Sequence, residues 1–186
     1  MRRSTITMIA CLGTALGGVG IAGANGTDMA KGPTDSASFV KLAGEANLAE
    51  IEAGKLAAKK AQSPEVKQYA EQMVKDHTKA STELESLAKP KNLDVPKSVN
   101  AEHKAAMDNL KGLSGADFDS AYMAQMTKDH DKAVALFTSA STATGVDKDL
   151  QGFAKKTLPT LEHHQHEASD LNTKQASAAN SNNRKM

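Results

Sequence analysis

The chain has 186 residues, a formal net charge of +1 from 23 basic and 22 acidic residues, one cysteine, no tryptophan and 3% aromatic residues. That balance excludes bulk attraction to nucleic acid or anionic lipid, and so few aromatics leave little surface for base stacking. A single cysteine excludes a disulfide framework or a thiolate metal site, so any metal must be held by nitrogen and oxygen.

Residues 1–24 read as a cleavable signal peptide. Arg2 and Arg3 supply the positive start, Ile6 to Ile21 is apolar and rich in small residues, and Ala22-Gly23-Ala24 gives the small-x-small pattern for cleavage. The apolar stretch is short for a membrane span and broken by glycines. A lipid-anchor reading would use Ile9-Ala10-Cys11, but the apolar run before Cys11 is very short for it. Cleavage near Ala24 is therefore preferred. It predicts a soluble periplasmic or secreted chain with no integral membrane insertion. Residues 25–35 carry Asn, Gly, Thr, Pro and Ser and read as a flexible linker.

A first helix is predicted from Asp35 or Ser36 to about Gln62, with Phe39, Ala43, Ala46, Ala53 and Ala57 at helical spacing. Ser63-Pro64 ends it and starts a second, with serine as cap and proline at the first helical position. The second helix runs to about Lys89 with Val66, Ala70, Met73, His77, Ala80, Leu84 and Leu87 on one stripe. Pro90 and Pro96 bracket a non-helical stretch, followed by a short helix over Val99–Leu113. Ser114-Gly115 and Asp117 open the next long helix, which runs to about Thr144 and carries Tyr122 or Met123, Met126, His130, Ala133, Phe137 and Ala140. Gly145 suits a left-handed stop and Asp147 a new cap. The last helix spans about Lys148–Lys174, with Leu150, Phe153, Thr157, Leu161, His164, Ala168 and Leu171 facing one way and a kink expected at Pro159. Residues 175–186 are Ser-, Asn- and Ala-rich and are expected to form a disordered tail.

Short turns within each helix pair and a long connection between pairs predict an all-α domain over residues 36–174. The expected fold is a ferritin-like four-helix bundle whose long crossover carries a short extra helix. The second and fourth helices also share a repeat: Tyr69-Ala-Glu-Gln-Met-Val-Lys-Asp-His-Thr-Lys-Ala80 matches Tyr122-Met-Ala-Gln-Met-Thr-Lys-Asp-His-Asp-Lys-Ala133, and the only two tyrosines fall at matching points. His77 and His130 are therefore equivalent. They lie about fourteen and fifteen residues into their helices, a near match in level at about 1.5 Å per residue. Glu50 is level with His77 across the first turn. His164 counts about four residues, or roughly 6 Å, too deep unless its helix starts late or bends.

Glu50, His77, His130 and His164 thus come one from each long helix, each on or beside the apolar stripe. A buried carboxylate and three imidazoles at one level are costly unless something satisfies them, and a divalent transition metal (zinc, iron, copper or nickel) does so with this donor set. The alternative is a hydrogen-bonded core network in which Glu50 pairs with a charged histidine. Met73 and Met126 precede His77 and His130 by four residues and could favour copper, though core packing is the plainer role. Asp76 and Asp129, with their flanking lysines, read as a solvated face, because one helical step turns them away from a second-shell position. His163 and His166 suit surface pairing with Glu167 and Glu162, and His103 reads as exposed. No nucleophile arrangement, phosphate loop or strand pattern appears, so a binding protein is favoured over an enzyme.

Leu48-Ala-Glu-Ile-Glu-Ala-Gly-Lys-Leu-Ala57, Met73-Val-Lys-Asp-His-Thr-Lys79, Ser114-Gly-Ala-Asp-Phe-Asp-Ser-Ala-Tyr122, Lys128-Asp-His130 and Leu158-Pro-Thr-Leu-Glu-His-His164 together resemble a family of exported bacterial domains of unknown function. Its members are often labelled outer membrane proteins. The resemblance spans Phe39 to about Leu171 and implies a ferritin-like fold with Glu50, His77, His130 and His164 as its polar positions. It implies no activity. The alternating strands of a membrane barrel are missing. So is the Glu-x-x-His pair of di-iron proteins, since Val74, Thr127 and Leu161 stand three residues before the histidines. The functional expectation is a metal-binding bundle holding one ion. The alternative is a non-catalytic envelope or stress-related interaction module with a structural polar core.

Overall fold

The computed structural model describes residues 33–183, so the predicted signal peptide and most of the predicted linker lie outside the described residues. The described chain is all-helical: α1 (Ser36–Lys60), α2 (Pro64–Ala88), a 3-10 turn (Lys89–Lys91), α3 (Ala101–Gly112), α4 (Gly115–Ala140) and α5 (Lys148–Asn183).

The helices start where local chemistry supplies caps. Asp35 accepts from Ser38 N at 2.8 Å while Ser38 Oγ accepts from Asp35 N at 3.2 Å, a reciprocal box at the start of α1. Ser63 accepts from Val66 N with Pro64 at the first helical position, and Asn100 caps α3 through His103 N. Asp147 accepts from Asp149 N at 2.9 Å and opens α5.

Two predicted boundaries differ. α4 stops at Ala140 rather than Thr144, and Gly145 does not take a left-handed conformation, which falls instead on Asn92 and Gly115. Gly145 is demanded by contact, because the Thr34 carbonyl sits where a Cβ would project. At the other end, α5 continues to Asn183 where a disordered tail was expected from residue 175. Gln175–Asn183 contains no proline or glycine, so nothing in the backbone chemistry stops the helix at Lys174. The helix also runs unbroken through Pro159.

The long helices form a helical bundle in which α1 packs along α2, α4 along α5, α1 against α4, and α2 against α5. Asp119 on α4 locks the α1–α2 turn. Its buried carboxylate accepts from Gln62 N at 3.0 Å and Ser63 N at 2.7 Å. Asp119→Ala leaves both amides without a protein partner and should cost about 2–4 kcal/mol, read as a lower urea midpoint.

The apolar core is split in two. One part is built on Phe39, Phe137 and Phe153, whose ring centroids lie 5.3–6.4 Å apart. The other is built on Tyr69, Phe118 and Tyr122, together with Met73 and Met126. Along α4, Met126 belongs to one part and Ala133 to the other; along α5, Ala168 and Leu161 do the same. His130 and His164 lie between those boundaries. A polar layer therefore separates two greasy blocks.

Candidate metal centre

His77, His130 and His164 are buried, at 4%, 1% and 1% exposure, and come from α2, α4 and α5. One ring nitrogen from each lies within 4.8 Å of the others. The ring centroids form a near-equilateral triangle with sides of 5.7, 5.6 and 5.5 Å. The offset in level that counting gave to His164 is absent. The chain between α4 and α5 turns through Ser141–Asp147, hydrogen-bonded from Ala143 N to Ser139 O and from Val146 N to Ala143 O. Counting from an assumed sharp reversal misplaces the level across such a turn.

Each imidazole is held by one nitrogen. His77 Nδ1 donates to Asn47 Oδ1 at 2.9 Å, His130 Nδ1 to the Met126 carbonyl at 3.0 Å, and His164 Nε2 to Asp76 Oδ2 at 3.0 Å. Those three acceptors fix the tautomers. The remaining nitrogens, His77 Nε2, His130 Nε2 and His164 Nδ1, are buried lone pairs with no protein partner. This is how metal-ligating histidines are held, with the second ring N–H given to a carbonyl, amide or carboxylate.

Protonation does not relieve the crowding. Burial pushes His77 well below the usual imidazole range, with His130 and His164 adding to it. Burial pushes His130 down to about 4 against the opposing Met126 carbonyl. Burial also lowers His164, against the opposing Asp76 carboxylate. Three neutral imidazoles thus present acceptors to one another with no donor among them. A single water donates only two hydrogen bonds and leaves the third lone pair unmet.

Of the four residues singled out from sequence, the structure brings these three together and sets Glu50 apart. Glu50 is buried at 5% exposure, but its Oε1 lies 4.0 Å from His130 Nδ1, the nitrogen already given to Met126. Its Oε2 has no hydrogen-bond partner. Burial, and then Asp129, raise its carboxyl well above the ordinary range. Glu50 and His130 therefore meet only at 4.0 Å, without a hydrogen bond between them.

Asp76 and Asp129 correct the expectation of a solvated face. Asp76 is half-buried and bonded to His164, and Asp129 is half-buried against α1 and α3. The repeat carries a signal that points to both. Gln72 Nε2 donates to Asp76 at 2.6 Å and Gln125 Nε2 to Asp129 at 2.7 Å, each pinning the carboxylate from the preceding turn. Asn47, which orients His77, lies one turn from Glu50 on the same face, and that spacing is its only signal in the sequence. His103 is half-buried rather than exposed, and its Nδ1 has no partner. His163 and His166 remain on the surface, 3.9 Å from Glu167 and 3.6 Å from Asp170 respectively. Glu162 is not the partner of His166.

No described helix is long and apolar enough to cross a membrane. No curated protein and no solved structure matches the chain significantly. A family profile, by contrast, matches residues 22–171, which span α1 to α4, α5 as far as Leu171, and every residue of the histidine cluster. The chain belongs to the family described as Domain of unknown function (DUF4142).

Proposed function

We propose that this chain is an exported, ferritin-like bundle that binds a divalent transition-metal ion in its core through His77 Nε2, His130 Nε2 and His164 Nδ1. The supporting observation is that three buried imidazoles from three helices each bring a ring nitrogen within 4.8 Å of the others, while one nitrogen of each ring is bonded to Asn47, the Met126 carbonyl or Asp76. A tetrahedral ion with bonds of about 2.0–2.1 Å spans nitrogens roughly 3.4 Å apart, a contraction that small side-chain rotations supply. Three imidazoles suit zinc, copper, nickel or iron and disfavour calcium and magnesium. Three protein ligands also leave a coordination position that four would close. Met73 and Met126 pack into an apolar cluster, which supports the core role over sulfur ligation.

Elemental analysis of protein purified without an affinity tag and reloaded with metal tests this. At least one equivalent per chain is expected, and His77→Ala should lose it. Wild type that retains none would leave the polar layer a device for fold specificity in a non-catalytic module. The residues behind the ligands give a graded check. Asp76→Ala and Asn47→Leu each remove the acceptor that orients a ligand and should weaken metal affinity about ten- to a hundredfold. Unchanged affinity by competition titration would argue that neither imidazole coordinates.

A further inference from the structure

The three core imidazoles are buried, so an ion that reaches them has to pass a seam between helices. The seams between the two helix pairs, α2 against α5 and α1 against α4, are closed in different ways. The α2–α5 seam carries an open groove of about 110 Å³ lined by Asp76, Lys79, Glu83 and Lys156. It ends at Asp76, whose Oδ2 is engaged by both His164 and Gln72. Over the α1–α4 seam lies α3. Beneath it is a cavity of about 20 Å³ walled by Met107 and Leu110 on one side and by α1 and α4 on the other. A second cavity of about 10 Å³ shares His103 and Asp129 with the first and is lined by His77 itself.

α3 is lightly anchored for a helix that covers a core. Leu110 is its one buried residue, and His103, Ala106 and Met107 are half-buried. Nδ1 of His103, on its inner face, is buried without a partner. The remaining hold is polar. Glu102 Oε1 accepts from Lys132 Nζ at 2.6 Å, Asn100 Nδ2 donates to Glu45 Oε2 at 3.1 Å, and Lys60 Nζ donates to the Lys111 carbonyl at 2.7 Å. Two of these three bonds are exposed, where such contacts contribute little. Elements with few buried apolar groups and solvent-facing tethers open at the lowest free energies.

The chain on either side of α3 is fixed, which leaves the helix free to swing between two pivots. Upstream, Pro96 sits against Gly44 of α1 where a Cβ would collide with it. Downstream, Asp119 ties the start of α4 to the α1–α2 turn. Between Pro96 and α3 run four non-helical residues, 97–100, and after α3 come Leu113 and Ser114. Gly112 has open space around it, and Gly115 holds a positive φ of 59° that favours glycine.

We infer that α3 is a hinged cover and that a transition-metal ion reaches the histidine centre through the α1–α4 seam when this helix lifts. The inference rests on the metal-binding reading and adds the path and the moving part. Lifting α3 removes Leu110 and His103 from the outer wall and opens the cavity that His77 lines, while the ligands and the acceptors behind them stay on the long helices. The crossover then regulates loading as well as joining the two helix pairs.

The rate of zinc uptake tests it. Full-length chain carrying Cys11→Ser, His163→Ala and His166→Ala takes zinc from an indicator dye, followed by stopped flow, and bound zinc is counted at equilibrium. Leu110→Ala removes the buried anchor and should speed uptake about tenfold or more, with one equivalent still bound. Glu102→Cys with Lys132→Cys, joined by a short bismaleimide, pins the cover and should slow uptake at least tenfold relative to the same variant unjoined. Glu83→Gln, which breaks the Lys156 contact across the α2–α5 groove, should leave the rate unchanged. Circular dichroism melts establish that each variant is folded. Full binding at a rate indifferent to both α3 changes overturns the cover and leaves the histidine centre standing, and acceleration by Glu83→Gln alone moves the entry to the α2–α5 groove. No zinc in the folded parent overturns both.

Discussion

Stripping metal from the loaded protein with a chelator should lower its melting temperature by about 8–16 °C. A ligand present at a thousand times its dissociation constant stabilises the folded state by about 4 kcal/mol, and each kcal/mol moves the melting point of a domain this size by roughly 2–4 °C. The site is well placed to transmit that energy, because its three ligands come from α2, α4 and α5. The shift should shrink by at least half in His77→Ala. Differential scanning calorimetry with and without chelator measures both. A wild-type melting point indifferent to chelator would mean that the three lone pairs are satisfied some other way.

The metal-free protein should lose stability as the pH falls. Unfolded histidine titrates near 6.5, whereas burial holds folded His130 down to about 4. Between those values the unfolded chain takes up a proton that the folded chain refuses, so acidification favours unfolding. The gap corresponds to roughly 3 kcal/mol from His130 alone. His77 and His164 act in the same direction, since burial lowers both. Glu50 opposes them. Its carboxyl is raised in the folded state, so the folded chain holds a proton there that the unfolded chain has shed, and acidification toward the ordinary glutamate range adds stability. Asp129, which burial also raises, opposes them in the same sense, but three imidazoles outweigh two carboxyls, and the urea midpoint should drop between pH 7 and pH 4.5. His130→Asn should flatten that slope. A midpoint that rises on acidification would show the imidazoles charged in the folded state.

How far the sequence reached depended on which geometry each residue obeyed. His77 and His130 were found because the repeat imposes equivalence, and equivalent positions on α2 and α4 meet in the core. Asp76 and Asp129 depart from the expected solvated face because one helical step from an inward position does not point outward here. In a bundle, the residue beside an inward position sits at the seam with the next helix, where it is half-covered and can reach a neighbouring ligand. Gln72 and Gln125, four residues earlier in both repeats, marked those seams. Glu50 was correctly placed in the core at the right level. Its carboxylate nevertheless falls outside the imidazole triangle, because level along an axis does not determine position around it. The end of α5 departs from the expectation that composition alone gives, because a segment of Ala, Ser, Gln and Asn without Pro or Gly contains no residue that breaks a helix.

The most direct test of the histidine centre is a crystal structure of the zinc-loaded protein with anomalous scattering at the zinc edge. The account predicts a scatterer about 2.0–2.1 Å from Nε2 of His77, Nε2 of His130 and Nδ1 of His164. Zinc found only on surface imidazoles such as His163 and His166, with the three core rings unchanged, would contradict it.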